Sequence, residues 1–188
     1  MPEAVAAWRP PQGPGVELVA GGRSWDAVRI PYSFGVSVVE RLGEYCGGVI
    51  QDGYAHTLYW LIKPGAADNW EPIPGSSVTI LGATSYVAVP PVRRTEGPGL
   101  WWKVPLLAVR YLTDADLLWA ALEEELDSRL GPRTLLACEP CIRARIFETD
   151  HDGCTGTTAM EMHGRQMVPA ASPHPCPCDH QPLRSAGA

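Results

Sequence analysis

A chain of 188 residues accommodates one domain with an appendage and leaves little room for two full-sized domains. An apolar fraction of 45% allows a buried core, while a formal charge of −6 excludes any global attraction to nucleic acid, so such a partner needs a local basic patch. The opening residues carry Glu3 and no apolar run, and no window approaches the roughly 18 apolar residues of a membrane span, so a cytoplasmic protein with reduced thiols and no membrane partner is expected.

Nineteen prolines and nineteen glycines exceed average usage. Residues 1–14 are rich in Pro, Ala and Gly and read as a flexible arm. A first strand is expected over Val16 to Ala20, closed by Gly21-Gly22, and a second over Trp25 to Ile30. Pro31 suits the first helical position, and Phe34, Val38 and Leu42 follow at helical spacing with Gly43 at the end. Gly47 to Gln51 and Thr57 to Ile62 read as a strand pair joined by the turn Asp52-Gly53-Tyr54. Shorter strands are expected over Val78 to Leu81, Tyr86 to Val89 and Trp101 to Val104.

The clearest helix runs from Thr113 to Leu130, with Thr113 as the expected N-cap and Asp114 and Asp116 in the first turn. Leu118, Leu122 and Leu126 share one face, Glu123-Glu124-Glu125 read as the wet face, and Gly131-Pro132 stops the helix. Cys46 stands apart from the other cysteines and reads as a small core residue. The expected fold is therefore α+β: a mainly antiparallel sheet with packed helices over residues 15–132, and a metal-binding tail over residues 133–188.

Five of the six cysteines and four of the five histidines lie between Cys138 and His180. Cys138 and Cys141 form a Cys-x-x-Cys pair, His151 and Cys154 repeat that spacing, and Cys176, Cys178 and His180 alternate along a third segment. Short pairs of this kind bring two donors onto one ion, which is how tetrahedral zinc sites are built. Cys138, Cys141, His151 and Cys154 can close one site. Cys176, Cys178 and His180 can complete a second with His163 or His174, or replace part of the first. The flanks, Asp150 to Gly156 and Pro169 to Leu183, are poor in large apolar residues, so a bound ion would supply the order that burial cannot. Structural zinc is the expected cofactor, and an iron–sulfur cluster on the same thiolates is the alternative. No HExxH or HxE…CxxC arrangement points to a catalytic zinc, and no Walker loop, dinucleotide fingerprint or GxSxG elbow is present.

Three segments carry a family likeness. Tyr86-Val87-Ala88-Val89-Pro90-Pro91 is followed by Gly97 and then Trp101-Trp102; Asp52 to Trp60 contains Gly53 and His56; and Trp25-Asp26-Ala27-Val28-Arg29 forms the third. Over roughly Ser24 to Pro105 the chain resembles the N-terminal domain of bifunctional DNA primase/polymerases, the prim-pol family. The resemblance implies a metal-binding acid at Asp26, a nucleotide-phosphate contact at His56, and nucleotidyl transfer. Val28 stands where a partner acid is expected, however, and Thr79 and Leu81 stand where a later acid and arginine are expected. One carboxylate is too few for two-metal chemistry. The expectation is a catalytically degenerate prim-pol-like protein that binds nucleic acid or nucleotide, with Arg93, Arg94 and Lys103 as the local basic patch. A protein-interaction adaptor is the alternative, and an active primase/polymerase using acids such as Asp52 or Asp68 is a third reading.

Overall fold

The structure, a computed structural model, describes residues 8–70, 77–107, 110–131, 133–136, 138, 140–142, 154–163 and 166–178. The chain divides into two compact units, Met1–Glu71 with Ser76–Glu125 and Pro72–Gly75 with Leu126–Ala188. The division falls inside the second helix, ahead of the boundary that Gly131-Pro132 suggests.

The first unit is built on strands β1 (Glu17–Ala20), β2 (Asp26–Pro31), β3 (Val49–Asp52), β4 (Thr57–Ile62), β5 (Thr79–Leu81), β6 (Tyr86–Val89) and β7 (Leu100–Val104). Five of them form an antiparallel sheet in the order β5-β2-β4-β3-β7, and β1 and β6 pair as a separate antiparallel ribbon. These are the strands the β-branched and aromatic runs foretell, each within a residue or two of its expected ends.

Alternation of side chains gives the five-stranded sheet two buried faces. On one, helix α1 (Tyr32–Leu42) seats Phe34, Val38 and Leu42. It approaches closely because residue 35 is glycine: a Cβ there would stand 2.9 Å from atoms of Leu58 and Trp60. On the other face, Ala27, Ile50, Leu61 and Trp102 meet Trp25 and the inward residues Val87 and Val89 of the β1–β6 ribbon. Such two-sided burial accounts for the near-continuous apolar run Leu58, Trp60, Leu61 and Ile62 in the central strand β4.

Helix α2 (Ala115–Leu130) buries Leu118 and Leu122 and stops at Gly131, whose φ of 86° suits a residue without a Cβ. Asp114, rather than Thr113, caps it: the Asp114 carboxylate accepts the N–H groups of Asp116 and Leu117. Thr113 is engaged elsewhere, its N–H donating to Leu61 O and its hydroxyl accepting the Gly47 N–H at 2.9 Å. Glu125 corrects the expected wet face, for it is buried and accepts the Arg41 guanidinium of α1 at 3.2 Å. Of the expected flexible arm, the described residues 8–14 include packed positions. Trp8 packs edge-on against Trp25 and beside Tyr111, and Pro11 O accepts the Val92 N–H.

The second unit holds β8 (Arg133–Leu135), β9 (Thr157–His163) and β10 (Gln166–Pro175) in an antiparallel sheet of order β10-β9-β8. The apolar-poor tail thus contains regular strands that its composition hides. Pro169, Pro173 and Pro175 all lie in β10, at the sheet edge where a missing N–H costs no central ladder bond. The β9–β10 pairing shifts register between Pro169 and His174. Among the described residues no helix is long and apolar enough to cross a membrane.

Candidate metal centre

Topology gathers the thiols of the second unit. Cys138 follows the end of β8, Cys154 precedes the start of β9, and Cys176 follows the end of β10. Because β9 runs antiparallel to both neighbours, β8 and β10 both run toward the end of the sheet where Thr157 opposes Pro175, β8 stopping at Leu135 opposite Glu161. Segments nearly forty residues apart in sequence are thereby brought to one locus.

There the sulfurs of Cys138, Cys141, Cys154 and Cys176 all lie within 4.8 Å of one another. Cys138 approaches Cys141 at 3.3 Å and Cys154 at 3.8 Å, and Cys176 stands 3.8 Å from Cys141. A fifth sulfur, that of Cys178, lies 3.2 Å from Cys154 and outside the group of four. None of these cysteines forms a disulfide. Cys138, Cys141 and Cys154 are buried, while Cys176 and Cys178 are half-buried.

The backbone is shaped to receive charge on sulfur. A helical turn over 140–142 closes with the Ile142 N–H donating to Cys138 O, which folds the Cys-x-x-Cys pair back on itself. The Cys138 N–H donates to Cys176 Sγ at 3.2 Å, and the Gly156 N–H to Cys154 Sγ at 3.3 Å. Gly156 has φ of 77°, which only glycine adopts readily, and that conformation turns its N–H toward the sulfur. Burial raises the Cys138 thiol, but hydrogen bonds from Cys141 and Thr155 outweigh it and bring the group down to about 6. Burial and the neighbouring sulfurs push Cys141 far up, and Cys154 is pushed up to about 11, chiefly by Cys178. The four sulfurs are placed to hold a metal ion.

Of the seven ligand candidates, the structure brings together Cys138, Cys141, Cys154 and Cys176, with Cys178 beside them. Cys176 joins Cys138, Cys141 and Cys154, the arrangement in which the third segment replaces part of the first site, and the described thiols make one centre. His151 and His180 lie outside the described residues. His174, on β10, has a buried Nε2 with no hydrogen-bond partner. The supporting Thr155 and Gly156 were not anticipated; a Thr-Gly directly after a cysteine is their only sequence signal.

The candidates in the first unit are dispersed. Asp26 is buried in β2, with Oδ2 accepting the Gly65 N–H at 2.7 Å and Oδ1 lacking a partner. His56 is exposed in the β3–β4 turn at φ 51°, and its carbonyl accepts the Tyr32 N–H. Since Asp26 opposes Ile62 while Pro31 opposes Thr57, the two candidates sit at opposite ends of the β2–β4 pair, separated by roughly 17 Å of strand. Register also separates the positions at which the resemblance expects acids: Thr79 opposes Arg29 and so lies on the sheet face opposite Asp26 and Val28. Arg93 and Arg94 line an open groove of about 550 Å³ with Gln12, Gly13 and Pro14, and Lys103 is not part of it. Arg94 is anchored there by donating to Pro98 O at 2.9 Å. Asp52, an acid of the third reading, holds the turn by accepting the Tyr54 and Ala55 N–H groups. No family model, curated protein or solved structure matches this chain.

Proposed function

We propose that this chain is a non-catalytic binding protein: a reduced prim-pol-like core that retains a nucleic-acid or nucleotide phosphate contact, joined to a module folded around a structural zinc ion. The observation that carries the proposal is the set of four mutually close sulfurs. Zinc–sulfur bonds of about 2.3 Å in a tetrahedron place sulfurs about 3.8 Å apart. Of the six spacings within the set, Cys138–Cys154 and Cys141–Cys176 are 3.8 Å, Cys138–Cys141 is 3.3 Å, and all lie within 4.8 Å. An iron–sulfur cluster has a core several atoms across and would hold its thiolates farther apart, so the spacing favours a single ion. Elemental analysis of the purified protein is the test. One zinc per chain is expected, and absence of stoichiometric zinc overturns the zinc centre, with iron and a visible charge-transfer band pointing to the cluster.

For the first unit, the dispersal of Asp26, His56 and Thr79 supports loss of nucleotidyl transfer, and the groove bearing Arg93 and Arg94 supports a phosphate contact. Anisotropy titrations with single-stranded, duplex and primer-template nucleic acid should give saturable binding that weakens as salt rises. Template-dependent nucleotide incorporation would overturn the non-catalytic reading. A second reading, a protein-interaction adaptor, is favoured by the outer face of the β1–β6 ribbon, where Leu18 is 74% and Tyr86 69% exposed. It expects indifference to nucleic acid in those titrations and a partner whose binding is lost in Leu18→Ser.

A further inference from the structure

The centre holds one thiol more than a tetrahedral ion uses. We propose that Cys154 and Cys178 form a peroxide-sensitive modification site, at which a disulfide between them removes Cys154 from the metal and releases it. This rests on the zinc reading above. Cys178 Sγ lies 3.2 Å from Cys154 Sγ, within reach of bond formation after a small approach, yet outside the four-sulfur set. Cys178 is half-buried while Cys154, like Cys138 and Cys141, is buried, so solvent reaches the pair through Cys178, which also touches Cys141. Cys154 is also the ligand most easily lost without unfolding the turn on the other side, since Cys138 and Cys141 share one helical turn and Cys154 stands alone before β9.

The chemistry balances with hydrogen peroxide as oxidant. The Cys154 thiolate attacks one peroxide oxygen, the O–O bond breaks, and hydroxide leaves to be protonated by solvent, leaving Cys154 as a sulfenic acid. The Cys178 thiol then attacks the Cys154 sulfur. The S–O bond breaks, the S–S bond forms, and the departing hydroxyl carries off the Cys178 proton as a second water. The two sulfurs lose two electrons, the peroxide gains them, and the zinc ion leaves with its charge unchanged. An exogenous dithiol reverses the step and lets the metal return.

The test uses the full-length, zinc-loaded chain, treated with a small excess of hydrogen peroxide in the presence of a chromogenic zinc chelator. Wild type should release its zinc in step with a Cys154–Cys178 disulfide found by peptide mapping. Cys178→Ser should keep one zinc per chain, release it at least fivefold more slowly, and accumulate Cys154 sulfenic acid that dimedone traps. Zinc release at the wild-type rate from Cys178→Ser, or a Cys138–Cys141 disulfide as the product in wild type, overturns the inference. Loss of zinc from untreated Cys178→Ser also overturns it, by making Cys178 a ligand. Failure of the underlying zinc reading shows separately, as wild type that contains no zinc before any peroxide is added.

Discussion

Cys46 and the centre's thiols show how one residue type takes opposite roles in two surroundings. Cys46 is 3% exposed beside Thr113, and burial pushes its thiol up to about 11 from the ordinary 9.0, against weaker opposing contacts from Trp60 and Thr113. The folded state therefore keeps a proton that the unfolded chain releases first. Stability is unaffected by this group below pH 9.0 and falls as the pH rises from there toward 11, by on the order of 2 kcal/mol in all. Urea unfolding of wild type and Cys46→Ala between pH 8 and 11 should show a shallower decline in the variant. At the centre the sign is opposite. Cys141 and Cys154 hold protons at neutral pH when no ion is bound, and a metal needs their thiolates, so binding must release protons and the affinity must rise with pH. Calorimetry of zinc addition in buffers of different ionisation enthalpy should return a positive proton release. Trp102, 1% exposed in the core between sheet and ribbon, is among the largest fully buried side chains of the first unit, with Trp25 and Trp60. Trp102→Ala should cost about 3–5 kcal/mol in denaturant unfolding.

At the scale of elements, α1 and α2 are tied by one cation. Arg41 reaches Glu124 at 2.7 Å and Glu125 at 3.2 Å, and the two carboxylates differ greatly in exposure. The Glu124 pair is exposed and contributes little, whereas removing the cation leaves the buried Glu125 undercompensated. Arg41→Ala is expected to cost about 2 kcal/mol, discounted from a fully buried pair because Arg41 keeps partial exposure. Glu124→Gln should fall within about 0.5 kcal/mol of wild type in the same unfolding measurement. The periodicity of α2 read Leu118 and Leu122 correctly as core, but it could not see Arg41 across the fold, and so assigned Glu125 to water. Its cap was misplaced for a similar reason. Thr113 and Asp114 are both good capping residues, and the choice fell to Asp114 because Thr113 is drawn into bonds with Leu61 and Gly47.

For the molecule as a whole, the two units draw their order from different sources. The first has a two-sided apolar core, and the second has a thiol cluster with few large buried side chains among its described residues. Removing the metal with a strong chelator should therefore abolish the tertiary signals of the second unit and leave those of the first, a difference readable as selective loss of dispersed amide resonances. Loss of all resonances together would contradict that separation. The strands and helices of the first unit are legible in the sequence, since period-two and helical apolar patterns are local and the core strands are long enough to carry them. The gathering of metal-type donors between Cys138 and His180 is legible too, because thiol pairs at short spacing are a local signal. Which sulfurs come together depends on tertiary structure: the antiparallel order β10-β9-β8 brings Cys176 to Cys138, Cys141 and Cys154, and no spacing rule encodes that return. The separation of Asp26 from His56 and Thr79 was likewise decided by strand register. A residue's sheet face and its distance along a strand depend on pairing partners that are remote in the chain.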